Sequence, residues 1–128
     1  MQKEAEALAA KAAQSPGGIA TEVMDKYPGS AVLLSVRVRN GRAELHAIQS
    51  DYMFILDGEG SLLTGGKMIG AYQTAPNERR GVKLEGASAT SLAKGSFIHV
   101  PPNTPHQALV APGSKLVYLV VKVTKQDG

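Results

Sequence analysis

The chain contains no cysteine and no tryptophan. The first absence excludes disulfides and zinc–thiolate centres, and with them any reading of cellular compartment from redox chemistry. Four tyrosines and two phenylalanines are the whole aromatic complement of 128 residues, a poor supply of base-stacking platforms. The 14 Lys and Arg are scattered, for a formal net charge of +3, whereas nucleic-acid binders gather their basic residues on one face or helix. No apolar run approaches the roughly 20 residues that span a bilayer. Neither nucleic acid nor a membrane is therefore an expected partner. The opening MQKEAEALAAKAAQS lacks the apolar stretch of a secretory signal. As it stands the chain reads as cytoplasmic, or as periplasmic or secreted if a signal has been removed. With 43% hydrophobic and 20% charged residues, one domain with its own core is expected.

Residues 2–14 are rich in Ala, Glu and Lys and favour helix by propensity, with a thin apolar stripe of Leu8 and alanines. Ser15-Pro16-Gly17-Gly18 ends that segment. We therefore expect an N-terminal helical extension over 1–18 and an all-β domain over 19–128. Short β-branched runs separated by Gly, Asn and Pro place strands at 51–56, 61–64, 67–73, 97–101, 107–110 and 115–123. Asp57-Gly58-Glu59-Gly60 and Gly65-Gly66 are turns, and 74–81 is a polar loop in which Glu78, Arg79 and Arg80 are solvated or rim a cavity. Many short strands at this spacing suggest a sandwich or small barrel.

The clearest local pattern is Val36-Arg37-Val38-Arg39-Asn40-Gly41-Arg42-Ala43-Glu44-Leu45-His46. Asn-Gly between alternating runs is the favoured two-residue hairpin turn. That hairpin would put Arg37 opposite Glu44 and Ser35 opposite His46, all on one face, with Leu34, Val36, Val38, Ala43 and Leu45 on the other. A sheet covered on both faces follows, with a barrel interior on one side and a helix or a partner subunit on the other. A homodimer is the natural expectation.

Two segments carry chemistry. One places Glu44, His46 and Asp51 close together on strand-like sequence; the other, Gly95 to His106, ends a β-run in Pro101-Pro102-Asn103-Thr104-Pro105 and presents His106 just past the turn. Mixed oxygen and nitrogen donors suit a hard or borderline divalent ion. The spacings Glu44-x-His46-x4-Asp51-x6-Gly58 and Gly95-x5-Pro101-x-Asn103-x2-His106 resemble the two motifs of the cupin superfamily, whose fold is a double-stranded β-helix, or jelly-roll barrel. The resemblance covers residues 44 to 110, and the chain looks like a small single-domain member, a monocupin. It departs from the family pattern at several places. Glu44 stands for the usual first His, Asp51 for the usual Glu, Val38 for the opening Gly and Val110 for the final Asn.

The resemblance implies a metal set of Glu44, His46, Asp51 and His106 holding one divalent transition metal, Mn, Fe, Zn, Ni or Cu. Each residue also has a plainer role. His46 would bond Ser35, His106 would be a turn histidine at the barrel mouth, and Asp51 would bond backbone N–H groups near the Ser50–Asp51 bend. Glu44 would pair with Arg37 across the hairpin. Arg37 has a second reading, as an always-charged fork that orients a substrate carboxylate beside the metal. His99, on the strand face of Phe97 and Pro101, reads as a packing residue; Met53 and Ile55 would line the cavity, with Tyr52, Phe54 and Leu56 on the opposite face. The expected function is a metal-dependent enzyme acting on a small molecule, a carboxylate among the candidates, with oxygenase, isomerase and lyase chemistry all open. The alternative is a non-catalytic small-ligand-binding barrel with a metal-free site.

Overall fold

A computed structural model describes residues 2–124. One helix, α1 (Gln2–Gln14), precedes thirteen strands: β1 (Ile19–Tyr27), β2 (Ser30–Arg37), β3 (Ala43–His46), β4 (Gln49–Gly58), β5 (Gly60–Thr64), β6 (Lys67–Ile69), β7 (Tyr72–Ala75), β8 (Glu78–Gly81), β9 (Lys83–Glu85), β10 (Ser88–Leu92), β11 (Phe97–Val100), β12 (His106–Val110) and β13 (Leu116–Thr124). The ends of the two units expected from sequence, residue 1 and residues 125–128, lie outside the described residues.

The strands form a five-stranded sheet in the order β1-β2-β13-β4-β11 and a six-stranded sheet in the order β10-β5-β12-β3-β8-β7, with β6 and β9 as a separate pair. All pairings are antiparallel. The fold is a double-stranded β-helix, as expected, and its two sheets face each other across a shared interior.

Period-two alternation assigns the faces. Along β4, Asp51, Met53 and Ile55 are buried while Tyr52, Phe54 and Leu56 are less so. Along β13, Leu116, Tyr118 and Val120 point inward with them. Met53, Ile55, Leu62, Leu92, Val100, Leu116, Tyr118 and Val120 form one apolar cluster between the sheets. Leu34, Val36 and Val117 form a second, on the outer face of the five-stranded sheet, where Leu8 of α1 covers them. The helix thus supplies the cover that the sequence assigned to a helix or a second subunit.

The hairpin expected at Asn40-Gly41 does not form. β2 pairs with β1 and β13, whereas β3 pairs with β8 and β12, so residues 38–42 cross from one sheet to the other. A type I′ turn needs positive φ at both central residues, and neither Asn40 nor Gly41 has it. Long-range bonds hold the crossover instead: Gly41 N donates to the Ala108 carbonyl at 2.8 Å, Val110 N to Asn40 Oδ1 at 2.8 Å and Gln107 Nε2 to the Gly41 carbonyl at 2.9 Å. The strand expected over 67–73 is two strands, β6 and β7. The loop expected over 74–81 is a hairpin: Ala75 pairs with Glu78 around Pro76-Asn77, with Asn77 at φ 63°. Proline followed by a positive-φ residue is the pattern of a type II turn.

Candidate metal centre

Three donors converge where β3 lies between β12 and β8. Glu44 and His106 are register partners across β3 and β12, and His46 leads into the cavity two residues beyond Glu44 on the same face of β3. The second motif delivers His106 by a tight route. Asn103 holds φ 60°, a left-handed conformation that Asn tolerates better than other non-glycine residues, at the position where the family motif has Gly. Its N–H donates to the His46 carbonyl at 2.8 Å, so the proline-rich turn is fastened to the end of β3 and the two histidines are fixed relative to each other. Their ring centroids are 5.5 Å apart. Gly58, the last residue of the first motif, has φ 93°, and a Cβ there would overlap the Lys115 carbonyl.

His46 Nε2 is 3.8 Å and His106 Nε2 is 3.6 Å from Glu44 Oε2. One donor atom from each of the three residues can be chosen so that all lie within 4.8 Å of one another. Donor bonds of about 2.0–2.2 Å to one divalent ion would set neighbouring donors about 3.0–3.4 Å apart, so a modest contraction brings this set to bonding distance. The outward nitrogens are also occupied as metal ligands need. His106 Nδ1 donates to the Thr104 carbonyl at 3.0 Å, leaving Nε2 to face the cluster. His46 Nδ1 faces Glu78 Oε2 at 3.8 Å, an outer carboxylate of the kind that orients a ligating imidazole. The residues present fit one divalent ion.

Asp51 lies just outside this set. Its Oδ2 is 3.8 Å from His106 Nε2, but its Oδ1 accepts from Lys122 Nζ at 3.0 Å. The two are register partners on β4 and β13, so the ammonium holds the carboxylate that the family motif would offer to a metal. Asp51 does not cap backbone N–H groups at a bend; it sits inside β4.

The expected Arg37–Glu44 pair is replaced as well. With no hairpin, Arg37 is opposite Ile19 and Leu116, and Glu44 pairs instead with Arg80, whose Nη2 is 3.8 Å from Glu44 Oε1. Ser35 bonds Thr21 (Oγ to Oγ1, 2.9 Å) rather than His46. His99 stacks on Tyr52, with ring centroids 4.3 Å apart, as the packing residue it was expected to be.

Burial alone would push the Glu44 carboxyl up; the facing imidazoles of His106 and His46 outweigh it and hold the group well below the usual carboxylate range. Burial would likewise push His106 down, but Glu44, the Thr104 carbonyl and Asp51 together raise its pKa above 6.5.

The cluster opens into a cavity of about 700 Å³ that also reaches Arg37, Tyr118, Lys122 and Met53, a volume ordinary for a small-molecule site. Of the residues at the cavity, Glu78 and Arg80 answer to the rim that the sequence offered as one reading, and sequence reasoning missed Lys122. Lys122 had a readable signal, since it falls in phase with Leu116, Tyr118 and Val120.

The chain has the double-stranded β-helix fold of cupin-domain structures, with an inward His/Glu cluster where its two motif segments meet. It is similar to a Klebsiella pneumoniae protein with a double-stranded β-helix domain (TM-score 0.62, 16% identity, 89% of this chain and 84% of that one). It is also similar to a cupin 2 conserved barrel domain protein from Rhodopseudomonas palustris (TM-score 0.59, 19% identity, 86% and 63%). A third structure, oxalate oxidase, gives a TM-score of 0.61 at 13% identity over 89% of this chain and 55% of that one. At these identities the likeness is one of fold. No family model matches the sequence, and no curated protein is similar to it in sequence.

Proposed function

We propose that this cupin is a metal-dependent enzyme that acts on a small molecule at one divalent transition metal, drawn from Mn, Fe, Zn, Ni and Cu. The observation that carries the reading is the convergence of Glu44, His46 and His106 inside a cavity large enough for a substrate. A metal there would act as a Lewis acid on a substrate oxygen. Two imidazoles and one carboxylate form the donor set of a facial triad, which leaves the remaining coordination positions to substrate and water. The Thr104 carbonyl holds the His106 ring, Glu78 faces that of His46, and Lys122 keeps Asp51, the fourth member of the expected set, from the metal in this conformation. Oxalate oxidase, which shares the fold, binds glycolate as a substrate analogue, a precedent for a small oxygen-rich molecule in such a barrel. A homodimer remains part of the proposal, supported by Phe54 and Phe97, which stand exposed side by side on the outer face of β4 and β11.

One observation favours the second reading, a metal-free binding barrel. Arg80 and Lys122 already neutralise Glu44 and Asp51, so the acids are satisfied without an ion. Thermal denaturation with each of the five metals separates the two. A metal that binds only the folded state adds about 2.7 kcal/mol at one hundred times Kd, several degrees for a domain of this size. The enzyme reading expects that shift in the parent and its loss in His46→Ala and His106→Ala. An absent shift, or one unchanged in both variants, would leave the binding barrel as the better account.

A further inference from the structure

Five basic side chains reach the cavity, and four of them have partners. Arg80 contacts Glu44 and Glu78, Lys122 holds Asp51, Arg42 Nη1 donates to Tyr72 Oη at 2.8 Å, and Arg39 donates to the Ala13 and Ser15 carbonyls. Arg37 differs. It is only 7% exposed, it has no ion pair with a carboxylate among the described residues, and its buried Nε has no hydrogen-bond partner. A guanidinium is charged at every accessible pH, and leaving a buried charge unpaired is costly. The fold nevertheless makes room for it. Gly41 lies directly against the group, where a Cβ would come within 2.6 Å of Nη1 and 2.8 Å of Cζ, and three bonds to β12 pin the crossover that carries Gly41. Tyr118 lines the same cavity, two residues beyond Leu116, the β13 partner of Arg37, and its hydroxyl can both accept from a guanidinium and donate to a ligand.

We infer that Arg37 and Tyr118 form a carboxylate-binding subsite, and that the ligands of this cavity are small molecules bearing a single carboxylate. The inference rests on the reading of the cavity as a ligand site, and names its ligand class. A planar fork and an adjacent hydroxyl donor match the two oxygens of a carboxylate. Glu44, Asp51 and Glu78 line the same cavity, so a phosphate dianion would meet more repulsion than a carboxylate monoanion.

The test uses ¹⁵N-labelled protein freed of metal with chelator, with the Arg37 Nε–Hε resonance as the readout. The probes are glycolate and benzoate, each paired with its neutral amide, and inorganic phosphate. We expect saturable movement of the resonance with the carboxylates and none with the amides. Calorimetry should show Kd raised roughly tenfold in Arg37→Met and less in Tyr118→Phe. Gly41→Ala, which displaces the guanidinium, should weaken binding without altering the metal-induced thermal shift. No movement with either acid, or a larger one with phosphate, overturns the inference. Binding that appears only after a metal is added would place the carboxylate on the metal cluster and overturn the Arg37 subsite while leaving the metal reading intact. A carboxylate response in protein that takes up no metal would uphold the subsite and remove the metal reading instead.

Discussion

The interior of this barrel has two ends built on the same strands. On β4 the inward series runs Ile55, Met53, Asp51, and on β13 it runs Leu116, Tyr118, Val120, Lys122. At the Ile55–Leu116 end the residues are mostly apolar, with Arg37 and Tyr118 as the polar members beside them. Towards Asp51 and Lys122 the same alternation delivers ionisable groups, joined on the facing sheet by Glu44, His46 and His106. Apolar residues of similar volume at the polar end would close the barrel as well or better, because buried ion pairs rarely add stability over hydrophobic packing. On the proposed function the polar end serves the metal and its ligand, while the apolar end carries the fold.

If that division is right, damage to the two ends should read out differently. The largest effect on stability is expected from Ile55→Ala. The side chain is fully buried in the main cluster, and its truncation should lower unfolding free energy by about 2–5 kcal/mol in urea denaturation. Its metal response should stay that of the parent.

At the polar end, Lys122→Met should cost up to about 3 kcal/mol by stranding the buried Asp51 carboxylate. The double change with Asp51→Asn should recover most of that loss, because it removes the stranded charge. A double-mutant cycle gives the coupling, and additive losses would mean that the 3.0 Å contact contributes little.

Glu78→Gln should leave stability nearly unchanged and weaken metal affinity about 10- to 100-fold, the usual cost of losing an outer partner of a ligating histidine. Competition with a chromophoric chelator measures it. An unaltered affinity would reduce Glu78 to a partner of Thr74 and Arg80.

The smallest expected effect is on pH dependence in metal-free protein. The depressed Glu44 pKa contributes stability that is present above its ordinary value of 4.5 and lost as pH falls through the folded value. The raised His106 pKa contributes stability present below 6.5 and lost as pH rises through the folded value. The melting temperature should therefore peak between those limits. Zn(II) should remove the alkaline decline by taking the proton's place, and a profile that Zn(II) leaves unchanged would uncouple these groups from the metal.

Much of this was legible beforehand because it depends on short-range spacing. The two motifs located Glu44, His46 and His106, and alternation along 51–56 gave the faces of β4. Errors arose where the partner of a strand is decided at long range. Asn40-Gly41 carries a strong hairpin signal, yet bonds to Ala108, Val110 and Gln107 use its backbone and side chain to hold a crossover, and the Arg37–Glu44 and Ser35–His46 pairs fell with the hairpin. Asp51, given to the metal set by its motif position, also bonds Lys122, 71 residues away, and no local pattern links the two. The 74–81 segment read as a loop because its charge masked a Pro76-Asn77 turn, and Glu78 and Arg80 read as solvated or as a cavity rim rather than as partners of His46 and Glu44.

The central claim is that Glu44, His46 and His106 hold one metal while Asp51 stays with Lys122. Anomalous diffraction from crystals of Zn(II)-loaded protein tests it most directly. The account predicts a single anomalous peak about 2.0–2.2 Å from a Glu44 oxygen and from Nε2 of both histidines, with the Asp51–Lys122 contact intact. Metal-loaded crystals with no peak at that position, or with a peak bonded to Asp51 and Lys122 turned away, would contradict it.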